Sequence, residues 1–143
     1  MSISAYIVAV ICAWIAAQGL KYIISGLKSK NFTGSFRQLY LSGNMPSAHS
    51  ASVVALLTII GLKDDISSPV FAVSLLFAAV VMYDAVMVRR SSGEQGEAVT
   101  RLIKESKSSI KLPRVAKGHT PLEVLAGAVV GLLVAFLVDF FTF

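Results

Sequence analysis

Four apolar runs divide this chain, and each is long enough, or nearly so, to cross a bilayer. The spans they predict are about Ile3–Ile24, Pro46–Leu62, Pro69–Val88 and Pro121–Phe141. A membrane helix needs roughly 20 apolar residues to cross a hydrocarbon core of about 30 Å. The second run is the shortest and begins with polar residues. At a rise of about 1.5 Å per residue it barely reaches across. No basic residue precedes the first run, so it lacks the start of a secretory signal and reads as a retained span. Hydrophobic residues make up 55% of the 143 and charged residues 15%. Soluble domains carry about 45–50% and about 25%, which excludes an ordinary soluble fold. The expected fold is all-α: one integral membrane helical bundle over residues 1–143, with about four transmembrane helices. Cys12 is the single cysteine and lies in an apolar run, where it packs rather than forms an intrachain disulfide.

The charges are lopsided. The connection after the second span holds one basic residue, Lys63, beside Asp64 and Asp65. Every other Lys and Arg falls on the opposite side. Lys21, Lys28, Lys30 and Arg37 surround the first connection; Arg89, Arg90, Arg101, Lys104, Lys107, Lys111, Arg114 and Lys117 surround the third. The positive-inside rule places these two connections in the cytoplasm, with the chain in the cell (plasma) membrane and both termini outside. A phosphate-binding site would itself be basic and would add to the bias. The third connection is too long for an idle loop. Along Glu94–Lys107, the apolar residues Ala98, Val99, Leu102 and Ile103 share one helical face. Two arrangements fit: an interfacial helix on the headgroup layer, or an extension of the third span over the bundle. In the first connection, Phe32, Phe36 and Tyr40 recur at helical spacing and either dip into the interface or pack over the bundle end.

Four antiparallel spans return the polar residues to one face. Lys21 ends the first span. Ser47 and His49, within SGNMPSAHS, start the second. Asp84, Arg89 and Arg90 end the third, and His119 and Glu123 start the fourth. Ionisable groups at membrane depth are costly and mark function. Two helix N-termini offer unpaired amides to an anion, arginine grips phosphate oxygens in pairs, and histidine can act as nucleophile or acid. With no Cys or His-rich set and only Asp84 and Glu123 as nearby acids, no metal cage is expected. Each residue also has a plainer role. Thr120-Pro121-Leu122-Glu123 is a capping sequence, Lys21 can snorkel, and the arginines can anchor topology. The joint placement is what points to phosphoryl transfer through a phosphohistidine.

The residues also resemble a known family. Arg114-Val-Ala-Lys-Gly-His119-Thr-Pro-Leu-Glu123-Val-Leu-Ala-Gly127 is similar to the third signature of the type 2 phosphatidic acid phosphatase and vanadium haloperoxidase superfamily. Pro46-Ser47-Ala48-His49 resembles its second signature, Pro-Ser-Gly-His. The whole chain looks like the small, divergent bacterial and plant branch. The resemblance implies that His119 is the nucleophile, oriented by Glu123, and that His49 protonates the leaving alkoxide and then activates water. Ser47 and Lys21 would hold phosphate oxygens. Departures are clear: four spans rather than six, no Lys-x6-Arg-Pro, Ala48 for glycine and Glu123 for aspartate. Four residues separate Arg114 from His119 rather than five, so the phosphate arginine is Arg114, Arg89 or Arg90. Asp84 is a candidate orienting acid.

The function expected is metal-independent hydrolysis of a lipid phosphomonoester or diphosphate, with membrane lipids as surroundings and neither cofactor nor nucleic acid involved. The alternative is a non-catalytic phospholipid-headgroup binding or transport protein that retains the anion pocket. So thin a bundle is compatible with a homodimer. Gly127 and Gly131 form a small-residue packing motif, which serves either a dimer or packing within the protomer.

Overall fold

A computed structural model describes residues 4–29, 45–113, 115 and 118–142. Among the described residues there are five α-helices: α1 (Ala5–Ser29), α2 (Ala48–Lys63), α3 (Pro69–Tyr83), α4 (Arg89–Glu105) and α5 (Pro121–Phe141). A π-helical turn, Asp84–Val88, joins α3 to α4. Three helices start on local capping chemistry. The Ser47 hydroxyl accepts from the Ser50 amide at 3.3 Å, and the Ser68 hydroxyl accepts from the Phe71 amide at 3.1 Å. Thr120 and Glu123 close a full capping box, with Pro121 at the first helical position.

Among the described residues, three helices are long and apolar enough to cross a membrane: Ala5–Leu27, the continuous Pro69–Glu105, and Pro121–Phe141. The fourth, α2, has 16 residues. That is about 24 Å, short of a core of about 30 Å. Its position explains how so short a helix serves. α2 packs against α1, α3 and α5, and α1 also meets α5. Half of α2 is buried in protein rather than facing lipid.

The bundle is built with small residues inside and large ones outside. Ala9, Ala13 and Ala17 of α1, Ala51 and Ala55 of α2, and Ala135 of α5 form the core with Ile59 and Val138. Outward go Ile7, Trp14, Ile15, Val73, Phe77, Leu133 and Phe136, and so does Cys12, which is exposed on α1 rather than buried by packing as expected. Packing of small residues brings helix backbones close, which is how helices associate where lipid removes the hydrophobic drive. Gly127 and Gly131 serve this contact within the protomer. A Cβ on Gly127 would overlap the Ser47 carbonyl oxygen, and one on Gly131 the Ala51 carbonyl oxygen.

Polar contacts tie the end opposite the proposed site. Tyr6 of α1 donates to Asp64 just past α2 at 2.9 Å, and Lys63 pairs with Asp139 of α5 at 3.0 Å. The start of α1 and the ends of α2 and α5 therefore lie together. The end of α1 and the starts of α2 and α5 lie at the other face.

Two boundaries differ from the apolar pattern. α1 runs five residues past Ile24, so Lys21 lies inside the helix. The amphipathic stretch in the third connection is helical and continues the third span without a break over 37 residues. The Phe32, Phe36 and Tyr40 face lies outside the described residues.

Candidate functional site

The centre of the site is the start of α5. His119 is 5% exposed, and its Nδ1 lies 3.0 Å from Glu123 Oε2. The same carboxylate oxygen accepts the Thr120 amide at 3.1 Å. One acid thus caps the helix and fixes the imidazole. A carboxylate at Nδ1 selects the tautomer with the proton there and leaves the Nε2 lone pair free.

Two backbone hydrogen bonds bring other elements to this point. The Ser47 amide donates to the Glu123 carbonyl at 3.0 Å, tying the start of α2 to the start of α5. The His119 amide donates to the Ala85 carbonyl, also at 3.0 Å. Ala85 lies in the π turn, where the wider helical register offsets carbonyls from their usual partners. Gly118 completes the docking: a Cβ there would overlap the backbone of Arg90.

His49, on the first turn of α2, is exposed. It lies within electrostatic reach of Arg89, His119, Lys21 and Asp84. Lys21 is 5% exposed and interacts electrostatically with Glu123. A lysine buried this far inside α1 faces the bundle rather than snorkelling out. Arg89 Nε donates to Asp84 Oδ2 at 2.6 Å, and Arg90 Nε donates to Glu94 Oε1 at 3.2 Å. An open cavity of about 200 Å³ beside His119 is lined by Arg90, Glu94, Glu97 and Thr120, among others.

Lys21, His49, Asp84, Arg89, His119 and Glu123 therefore share one neighbourhood. Ser47 sits behind it. Its hydroxyl is fully buried and accepts from the amide and from the hydroxyl of Ser50, the latter at 3.0 Å. The first-turn amides of Ala48 and His49, at the start of α2, have no intrahelical acceptor. Arg114 lies outside the described residues. The role of the Ala85 carbonyl and the close fit of Gly118 do not show in the sequence. A glycine directly before His119 is the one signal for the latter; an uninterrupted helical pattern gives none for the π turn.

An all-helical membrane bundle with a buried histidine paired to a carboxylate at one end, near a second histidine and basic side chains, defines the class of protein. The chain belongs to the divergent PAP2 family, whose model matches residues 3–134. It is 34% identical to the uncharacterized membrane protein YuiD of Bacillus subtilis (strain 168) over an alignment of 146 residues, covering 92% of this chain and 91% of that protein. No solved structure gives a significant match.

Proposed function

We propose that this protein is a membrane lipid phosphatase that hydrolyses a lipid phosphomonoester or diphosphate through a phosphohistidine at His119. The observation that carries this reading is buried His119, held 3.0 Å from Glu123, with Lys21 and Arg89 acting electrostatically on His49 in the same neighbourhood. His119 Nε2 attacks phosphorus, and the bond to the lipid alkoxide breaks as His49 gives that oxygen a proton. Glu123 stabilises the positive charge on the ring. In the second step His49 takes a proton from water, the hydroxide attacks phosphorus, and the phosphorus–nitrogen bond breaks. His119 and His49 return to their starting forms and phosphate leaves. Lys21, Arg89 and the α2 amides oppose the charge on the phosphoryl oxygens, the electrostatic contribution that dominates many such reactions.

Arg89 is the better arginine for the phosphate. It acts electrostatically on His49, whereas Arg90 pairs with Glu94 along α4. The outward apolar surface of α1, α3 and α5 favours a substrate whose tail stays in the bilayer. The charge distribution supports a site at the cytoplasmic face of the plasma membrane.

The test is phosphate release from a panel of phosphatidate, phosphatidylglycerophosphate and polyprenyl phosphates and diphosphates, in EDTA. The expected result is release from at least one lipid, unaffected by the chelator. Headgroup binding with no turnover on any lipid would favour the non-catalytic alternative.

A further inference from the structure

The Asp84–Arg89 pair has a geometry that packing alone does not require. The two residues are five apart. In an α-helix that separation turns side chains about 140° away from each other, given 3.6 residues per turn. The π turn at Asp84–Val88 brings them onto one side, and the bond closes at 2.6 Å. The same turn offers the Ala85 carbonyl to the His119 amide. Arg89 and the proposed nucleophile are thus set by one backbone feature.

The pair is also not sealed in the core. The Arg89 and Asp84 side chains are 49% and 36% exposed, and both act electrostatically on His49. Asp84 takes only Nε. The two terminal amino groups of the guanidinium make no side-chain hydrogen bond among the described residues. That fork is the part of arginine that grips two phosphate oxygens at once.

We infer that Asp84 is a positioning residue: it holds Arg89 by Nε so that the free fork faces the phosphoryl group. This rests on the reading of the site as an anion pocket. A half-exposed arginine otherwise samples many rotamers, and binding an anion would have to order it. Asp84 does that ordering before the ligand arrives.

The experiment is a calorimetric titration of the detergent-solubilised protein with inorganic phosphate. Asp84→Ala should weaken phosphate binding by about five- to tenfold, the range expected for losing one ordered charge-assisted contact. Asp84→Asn keeps an oxygen that accepts from Nε and should bind within about twofold of wild type. In an Arg89→Gln background, Asp84→Ala should have no further effect. A merely structural role would not produce that loss of coupling. Asp84→Ser, too short to reach Nε, repeats the test should alanine disturb the π turn.

Wild-type protein that binds no phosphate overturns the anion-pocket reading itself. Wild type that binds, with Asp84→Ala and Asp84→Ser binding equally well, overturns the positioning role alone. So does an Asp84→Ala effect that persists at full size without Arg89.

Discussion

Replacing His119 by alanine is expected to lower phosphate release by about three to six orders of magnitude, the loss seen when a covalent nucleophile is removed. Glu123 offers a finer version of the same test because its side chain has two jobs. It closes the α5 capping box and it holds His119 Nδ1. Glutamine can still cap, since its amide oxygen accepts the Thr120 amide. It cannot offer a full negative charge to the imidazolium that forms when Nε2 attacks. Glu123→Gln should therefore fold and melt nearly as wild type does, with turnover reduced about 100- to 10,000-fold. Equal activity of Glu123→Gln and wild type would reduce Glu123 to a helix cap. The readouts are steady-state phosphate release and thermal unfolding in the same detergent.

The second large effect concerns the fold. A glycine-to-alanine change inside a helix normally stabilises by about 0.5–1 kcal/mol, because glycine loses more backbone freedom on folding. At Gly131 the sign should reverse. A Cβ there would run into the Ala51 carbonyl oxygen and come within 3.0 Å of the Ala55 amide nitrogen. Both are helix backbone in α2, and neither can swing aside as a side chain would. α2 and α5 must separate, which costs about 1–3 kcal/mol or more in a close-packed core and outweighs the propensity gain. Gly19 supplies the contrast. It lies in α1, where an added Cβ would meet nothing within 4 Å, so Gly19→Ala should leave the melting temperature unchanged or raise it. Gly131→Ala should lower it. Because α2 also carries His49, Gly131→Ala should disturb the site at the end of the bundle as well.

Much of this architecture is legible in the residues. Uninterrupted apolar runs mark the long helices, and Thr120-Pro121-Leu122-Glu123 marks the start of α5 to the residue. Antiparallel spans place Lys21, His49, Asp84, Arg89, His119 and Glu123 at one end without knowledge of any side-chain contact. What is not legible depends on relations that a linear pattern does not hold. The resemblance makes Ser47 a phosphate ligand, but its hydroxyl is buried and caps α2 by accepting from Ser50, and Gly127 of α5 packs against its backbone. The path of the third connection depends on whether the chain bends after Val88; Gly93 and Gly96 would allow a bend there, and the structure keeps both within α4. The π turn coincides with tertiary contacts to Gly118 and His119, which a linear pattern does not hold. Whether Lys21 turns inward or snorkels outward depends on which face of α1 packs on the bundle, and the structure buries it.

The central claim is that phosphate passes through a covalent bond to His119. The most direct test is to quench the protein during turnover of a lipid carrying labelled phosphate, using His49→Ala to slow the second step, and to map the label by mass spectrometry. The account predicts an acid-labile, base-stable phosphoryl group on His119, lost in His119→Ala. Turnover with no label on His119, or with label on another residue, would contradict it.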